Sequence, residues 1–506
     1  MSTNRIEFVL ALCLFVCGAG TLPAAGSHAA SSIPQRIADL IQASPDLQRA
    51  HIGYQFIDLK TGRVLAEQDA SRLFTPASNR KLFVTAMALF RLGPGYKYKT
   101  ELTTSGPWKP GQTTLPNLQL VGGGDPNLSG RVLPYSVNAH PGDPFSALEK
   151  LADKLVKLNI HAIDGDVTGV ATRYPGDRFP LDWTMGDSEY GYGAPVSALT
   201  LDDNLVTATV SPTQAGDLAA IELCPNVGHF IVLNQIVTDH SNQTHIHARR
   251  PLGSNELVLW GTIGKAEPAW KQDFAIDDPA LFAAQALISV LRDRGIVVRG
   301  SARSQYTDAN EAPPPQPAAV VLASHESAPL WEDLQVTNKV SENLHAEMLL
   351  REIGFIQCGR GTLKAGLDAE KTFLQQIGLD GSPPQVEFFD GCGLAREDLA
   401  TPAAVAALLR YMWEAPYRDL WLKTLPIGGV DGTLQHRFHG IPNPQRVHAK
   451  TGSVNHVDAL SGYMETAPNR WIAFSILING NPGDHDEGRD FIDRVCGLFP
   501  RPKRGR

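Results

Sequence analysis

Helix-patterned stretches at both ends of the chain bracket a long β-patterned middle, and this layout limits the fold more than any other feature. Near the start, "IGYQFIDLKTGRVLAEQ" (Ile52–Gln68) alternates apolar and polar residues around Thr61-Gly62, which predicts a β-hairpin. A short amphipathic helix is predicted before it, over Pro34–Ile41. From Ser78 to Leu92, Leu82, Ala86, Leu89 and Phe90 recur at helical spacing, and Pro94-Gly95 ends the run. Beyond "YKTELTTSG" short strand patterns dominate, interrupted by helices predicted over Phe145–Ile160 and Pro279–Ile296. The Pro-rich "NEAPPPQPAAV" (Asn310–Val320) marks a boundary. Long helical patterns then return at Asn338–Gly354 and Leu363–Gly378. Strands follow near "VEFFDGCGL", "HAKTGSV", "LSGYMET" and "WIAFSILING", with a last helix near Asp490–Phe499. A large insertion into one α/β unit produces this order.

The 506 residues suggest roughly three domains. A hydrophobic fraction of 43% and a charged fraction of 19% describe a globular chain. The net charge of −8, with no Lys/Arg stripe outside the tail Arg501–Arg506, argues against a nucleic-acid partner. Residues 1–30 read as a secretory signal: Arg5, an apolar Phe8–Val16, then small residues through "GSHAASS". That apolar core is about half of the roughly 20 residues a membrane span needs. Cys13 and Cys17 fall inside the signal, and Cys224, Cys358, Cys392 and Cys496 are widely spaced. Without a CxxC, zinc and thioredoxin-like chemistry are disfavoured, while one disulfide and free buried thiols are both compatible with the spacing.

Three polar motifs carry the candidate chemistry. In Ser78-Asn79-Arg80-Lys81 the serine and lysine are three apart, so a helix starting at Ser78 brings them onto one face. The helix N-terminus favours negative charge developing at the hydroxyl, and a desolvated lysine can act as its base. In Ser341-Glu342-Asn343 a loop between helices can point both side chains into a cleft, where the hydroxyl can pass a proton and the carboxamide can bind a substrate backbone. In Lys450-Thr451-Gly452-Ser453 a strand edge with lysine and hydroxyl can hold a carboxylate, and the glycine permits close approach of a substrate. Each alone is weak. In this order, SxxK, S-x-N and KTG together point to penicillin-binding proteins and class A β-lactamases. His245 and His247 share one strand face but have no third ligand at suitable spacing, so they read as exposed strand histidines. "GDHDEGRD" (Gly483–Asp490) lacks EF-hand spacing and reads as a solvated turn.

The sequence also resembles the class C, low-molecular-mass penicillin-binding proteins, the D-alanyl-D-alanine carboxypeptidase/endopeptidases of the peptidase S13 type. Besides the motifs, "LVGGGDPNL" (Leu120–Leu128), "GAPVSALTLDDN" (Gly193–Asn204), "DGCGLAREDLATP" (Asp390–Pro402) and "GGVDGTL" (Gly428–Leu434) occur in the family's order. The resemblance implies an α/β (α+β) fold. A transpeptidase/β-lactamase-like domain with an antiparallel sheet flanked by helices would cover 31–97 and 326–506. Two nested, mainly β domains would occupy the gap between Lys81 and Ser341: one at 98–202 and 276–325, the other at 203–275.

The same resemblance implies an exported, periplasmic or cell-wall, penicillin-sensitive serine carboxypeptidase/endopeptidase without cofactor or metal. Its partners would be peptidoglycan stem peptides ending in D-Ala-D-Ala and β-lactam antibiotics, with peripheral membrane contact. Ser78 would be acylated, Lys81 would be the base and Ser341 the proton relay. Asn343, Lys450, Thr451, Gly452 and Ser453 would bind substrate, with the Ser78 and Ser453 N–H groups as oxyanion hole. Arg396 and Asn455 would line a pocket for the stem peptide's side chain, often diaminopimelate. Two departures stand out: Cys392 replaces a usual serine, and Val170 or Ala171 stands where an acidic residue is common. A non-catalytic wall-binding scaffold of the same fold and a serine β-lactamase are the alternatives.

Overall fold

The computed structural model describes residues 32–499 except 107, 177 and 312–318. The signal over 1–30, most of the Pro-rich connector and the tail Arg501–Arg506 lie outside the described residues.

The strand Arg470–Asn479 sits at the centre of a five-stranded antiparallel sheet. The spatial order is Val447–Val454, Val457–Ala467, Arg470–Asn479, His51–Asp58, Val64–Gln68. "RWIAFSILIN" is almost wholly apolar because both faces of this sheet are covered. Successive side chains alternate between the two sides. Ile472, Phe474, Ile476 and Ile478 pack with Ile37, Phe491 and Val495 from the helices Ile33–Gln42 and His485–Gly497. Ala473 points to the opposite layer, with Ala404, Val405 and Leu408 of the helix Pro402–Glu414.

Within that layer the helix Lys81–Arg91 is buried along every residue from Lys81 to Leu89, so its amphipathic stripe is only part of what it hides. Its one internal hydroxyl, Thr85, is satisfied by the Lys81 carbonyl at 2.7 Å.

The chain leaves and re-enters this unit through two strands that pair with each other. Lys99–Ser105 runs antiparallel to Ala319–Glu326, paired from Ser105 with Ala319 to Lys99 with Glu326 across a register shift between Val321 and Ala323. They form one edge of a second, mixed five-stranded sheet, covered by the helices Ser146–Lys157 and Pro279–Asp293. Two further three-stranded sheets lie within 205–275. Their inward residues, Val206, Ile236, Leu257 and Leu259, belong to the same hydrophobic cluster as Leu118 and Phe282. One continuous core therefore runs through the inserted region.

Three local expectations are corrected. The helix predicted over Asn338–Gly354 is broken: a π-helical turn Val336–Val340 ends at Ser341, whose φ is 70°, and a new helix starts at Asn343. "GDHDEGRD" is no turn beyond Asp484, which caps the helix His485–Gly497 by accepting from the Asp486 and Glu487 N–H groups. That helix consequently starts earlier than the expected Asp490. Cys224, Cys358, Cys392 and Cys496 are all free thiols, the first two exposed and the others buried. His245 and His247 are exposed as read; His245 meets Gln243 and His247 stacks on Trp260.

Candidate active site

The three motifs converge although the fold draws them from a helix start, a helix break and a sheet edge. Ser78 lies in the 3-10 turn Ala77–Arg80 that feeds the helix Lys81–Arg91. Lys450–Ser453 lie on the edge strand Val447–Val454. The turn and the strand touch: Asn79 Nδ2 donates to the Lys450 carbonyl at 3.1 Å. Gly452 makes that contact fit. A Cβ there would stand 2.7 Å from the Pro76 oxygen and 3.1 Å from the Ser78 nitrogen. The Ser78 turn makes a close approach here, and Gly452 also lines the hollow beside Ser78.

Lys81 Nζ has three near neighbours: Ser78 Oγ at 2.8 Å, Asn343 Oδ1 at 2.6 Å and the Cys392 carbonyl at 2.7 Å. Two of the three are oxygens that can only accept. A neutral amine has two N–H groups for them and one lone pair left, directed at the Ser78 hydroxyl. Burial pushes the amine's pKa down, against the pull of more distant acidic groups.

Lys450 Nζ lies 2.7 Å from Ser341 Oγ and 2.9 Å from the Thr451 carbonyl. Burial first, then Lys81, push it well below its usual range. Each of the two buried lysines thus has one hydroxyl within hydrogen-bond distance, Ser78 for Lys81 and Ser341 for Lys450.

Supporting shells hold these atoms. The loop after Asp390 wraps around its own carboxylate: the N–H groups of Cys392, Gly393, Leu394 and Ala395 all donate to it, and Trp183 Nε1 adds a bond at 3.0 Å. This wrapping presents the Cys392 carbonyl to Lys81. At Gly393, with φ 86°, a Cβ would meet the Ala77 oxygen at 2.0 Å, so only glycine lets the loop close on the nucleophile turn. Arg80 donates to the Asp390 carbonyl and forms a bidentate pair with Glu370, both bonds 2.6 Å.

Glu347, Asp390 and Cys392 bring potential metal-ligand atoms close together. Their carboxylates are already filled by N–H donors: Glu347 Oε1 takes those of Gly391 and Cys392, and its Oε2 pairs with Arg351. Lys339 anchors the second motif through Asp431 at 2.6 Å and the Leu425 carbonyl at 2.7 Å. Ser341 keeps its left-handed backbone, which costs an L-residue roughly 1–2 kcal/mol, inside this frame.

Two adjoining hollows of about 450 and 460 Å3 flank Ser78. One is lined by Asn343, Arg396, Asn455, Asp187 and Tyr192, the other by Thr451, Ser453, Thr433, His436, Arg437 and Arg489. Lys81 and Lys450 lie buried beneath them. All ten residues singled out in the sequence are therefore in or under one cleft.

Arg396 Nη1 donates to the Asn455 carbonyl at 3.2 Å. Asn343 Nδ2 already donates to the Tyr192 carbonyl at 2.8 Å, which leaves its second N–H for another acceptor. Val170 and Ala171 are buried in and just after a strand of the inserted region. The acid that lines the cleft is Asp187 instead, held by the Thr184 N–H at 3.0 Å and the Tyr192 hydroxyl at 3.2 Å. Asp187 and His436 escaped the sequence reading because no local pattern marks them, and Thr433 and Arg489 lay inside quoted stretches, "GGVDGTL" and "GDHDEGRD", that carried no site assignment. The role of Cys392 was invisible because it is a backbone oxygen that contacts Lys81.

Comparison with known proteins agrees with this geometry. Residues 33–499 match the D-Ala-D-Ala carboxypeptidase 3 (S13) family. The chain is 32% identical over 458 residues to a D-alanyl-D-alanine carboxypeptidase of Actinomadura sp. (strain R39), covering 88% of this chain and 80% of the relative. It is 26% identical over 455 residues to D-alanyl-D-alanine carboxypeptidase DacB of Haemophilus influenzae, covering 88% of each. The crystal structure of penicillin binding protein 4 (dacB) from Haemophilus influenzae superposes with a TM-score of 0.76 at 25% identity, over 91% of this chain and 97% of that one. The transpeptidase/β-lactamase-like fold with inserted domains, expected from the sequence, is the fold observed. The chain belongs to the D-Ala-D-Ala carboxypeptidase 3 (S13) family, as a serine-type carboxypeptidase of the class C penicillin-binding proteins.

Proposed function

We propose that this protein is exported and cleaves D-Ala-D-Ala stem peptides of peptidoglycan through an acyl-enzyme on Ser78, as a carboxypeptidase and as an endopeptidase on cross-links. The observation that carries the reading is the placement of buried Lys81 Nζ, 2.8 Å from the Ser78 hydroxyl with two acceptor-only neighbours. Ser78 Oγ attacks the carbonyl between the two D-alanines as its proton passes to Lys81. The tetrahedral oxyanion sits against the backbone N–H groups of Ser78 and Ser453, donors that are typically worth ~3–4 kcal/mol of barrier. The C–N bond breaks as Ser341, in contact with Lys450, delivers a proton to the leaving amine. Water then hydrolyses the ester.

The leaving D-alanine's carboxylate fits the hollow with Thr451, Thr433 and Arg489. The stem peptide's side chain fits the other, where Arg396 and Asp187 suit a group bearing both a carboxylate and an ammonium, such as diaminopimelate. Among the described residues no helix is long and apolar enough to cross a membrane. Export is inferred from the leader pattern at 1–30.

The test is product analysis on purified muropeptides with wild type and Ser78→Ala, scoring released D-alanine and cleaved cross-links separately. Labelling by a fluorescent penicillin runs in parallel. Persistent label on Ser78 with D-alanine release supports the reading. Rapid turnover of a chromogenic cephalosporin without peptide cleavage would convert it to a β-lactamase, and an unlabelled folded protein would leave a scaffold.

A further inference from the structure

The sequence stretch "TLDDN" (Thr200–Asn204) has no part in the chemistry above, yet it holds the most strained backbone of the inserted region. Asp202, Asp203 and Asn204 have φ of 49°, 54° and 56°, three successive L-residues in the left-handed region. Asn and Asp tolerate that region as single residues, and a run of three persists only where the surroundings over-determine it. Here they do. The Asp202 N–H donates to the Leu128 carbonyl at 3.0 Å. The Asn204 side chain accepts from the Leu201 N–H at 3.2 Å and donates to the Pro195 carbonyl at 2.9 Å. The result is that the Asp203 carboxylate is aimed out of the inserted region at a histidine of the catalytic unit.

That histidine is His345, fully buried on the first turn of the helix Asn343–Cys358. Its Nε2 lies 3.0 Å from Asp203 Oδ1, and its Nδ1 lies 2.7 Å from Asp333 Oδ1. Burial alone would strip its proton, but the Asp333 and Asp203 carboxylates hold its pKa up to about 10, so it is an imidazolium that donates through both nitrogens. Each acceptor has a second donor from the inserted region. Asn127 Nδ2 donates to Asp333 Oδ1 at 2.9 Å, and Arg131 donates to Asp203 Oδ2.

The position of the bridge gives it meaning. Asp333 and His345 bracket the segment that holds Ser341 and Asn343, so their bond closes that segment into a loop. Ser341 within the loop has its own left-handed backbone and no glycine to excuse it. Distances of 2.7 Å from Ser341 to Lys450 and 2.6 Å from Asn343 to Lys81 depend on where this loop sits.

We propose that the Asp203–His345–Asp333 bridge is a positioning device that sets the Ser341–Asn343 loop against the two lysines, and that the inserted region is thereby a working part of the acylation machinery. The proposal rests on the acylation reading given above. His345 touches no reacting atom; it is a positioning residue, and what it positions is the second motif.

The experiment is a double-mutant cycle on the full chain, following acylation of Ser78 by a fluorescent penicillin. His345→Gln and Asp203→Asn are each made alone and in a Ser341→Ala background. Each single variant is expected to slow the acylation step at least tenfold while non-covalent affinity for the penicillin stays within about twofold. In the Ser341→Ala background the same substitution is expected to cost at least threefold less, because the group it positions is gone. Equal cost in both backgrounds, or no cost, overturns the proposal. If His345→Gln does not fold by circular dichroism, Asp203→Asn, which keeps the shape and an acceptor oxygen, carries the comparison. Wild-type labelling separates the two levels: without it the acylation reading and the proposal fall together, and with it an additive cycle removes the proposal alone.

Discussion

Gly452→Ala is the substitution whose effect the geometry fixes best. The new Cβ would lie 2.7 Å from the Pro76 oxygen, 3.0 Å from Asn79 Nδ2 and 3.1 Å from the Ser78 nitrogen. A carbon and a carbonyl oxygen in contact normally stand about 3.3 Å apart or more. The edge strand and the nucleophile turn must therefore separate by about 0.6 Å, since two of the three obstacles are backbone atoms that cannot rotate aside. Overpacking of this kind costs about 1–3 kcal/mol of stability. The catalytic cost is of similar size. Misplacement by about 1 Å is worth on the order of 100-fold, so a shift of this size should slow acylation roughly 10- to 100-fold. Separation also stretches the Asn79–Lys450 bond, now 3.1 Å, which ties the first motif to the third. The assay is the second-order rate constant for Ser78 labelling by a fluorescent penicillin, with a thermal melt to show that the variant is folded. A folded Gly452→Ala protein that acylates within twofold of wild type would refute the claim that this glycine exists to seat the nucleophile turn.

Three other outcomes are expected. The acylation rate should climb with pH along a limb whose midpoint lies below the ordinary lysine value of 10.5, because burial lowers Lys81 and only its free amine takes the serine proton; Lys81→Arg, which stays charged, should not label. The sign for stability follows: the unfolded chain binds the proton that the fold releases, so this group's burden on stability shrinks as pH rises toward 10.5, and a melt series in which alkali removes stability at Lys81 would contradict it. Glu370→Gln should cost about 3–5 kcal/mol by removing the bidentate partner of buried Arg80 and leaving it only the Asp398 carboxylate at 4.0 Å and the Asp390 carbonyl, since the Arg80 and Glu370 side chains are 0% and 2% exposed; denaturant titration of variant and wild type measures it, and a loss under 1 kcal/mol would mean the pair is dispensable. Arg396→Ala and Asp187→Asn should slow cleavage of diaminopimelate-bearing stem peptides about tenfold or more, while labelling by penicillins without a charged side chain stays near wild type.

The parts of this fold that could be read in the sequence are those where a residue's type is dictated by its immediate neighbours. The central strand Arg470–Asn479 was legible because both of its faces are covered and every position answers to packing. The three motifs were legible because each holds its chemistry within four residues. The break at Ser341 was legible only as a loop between helices; its left-handed backbone falls on a serine, where nothing local announces it. The N-cap Asp484 could have been found, since an acid followed by more acids and an apolar stripe is a helix-start pattern; the acidic run distracted from it. Asp187, Thr433 and Arg489 meet only through tertiary folding, and no spacing connects them.

The same distinction bears on how, in the proposed mechanism, a buried lysine would stay available as a base. A carboxylate against Lys81 would raise its pKa and hold the proton that it must accept. The region is rich in buried acids, and the fold keeps Asp390, Glu347 and Glu370 occupied elsewhere. Asp390 is wrapped by four backbone N–H groups. Glu347 is shared between two N–H groups and Arg351, and Glu370 is paired with Arg80. Lys81 and Lys450 meet only neutral dipoles at hydrogen-bond distance. Each acid still fixes a position: Asp390 the Cys392 carbonyl, Glu370 the Arg80 clamp, Asp203 and Asp333 the second motif. Negative charge in this protein therefore works at one remove, as scaffolding whose local neutralisation leaves the two lysines poorly solvated, with burial pushing both pKa values down. Replacing any of these acids should act on catalysis through geometry and on the lysines' protonation through lost shielding, and the two effects separate in a pH–rate profile as a changed plateau and a moved midpoint.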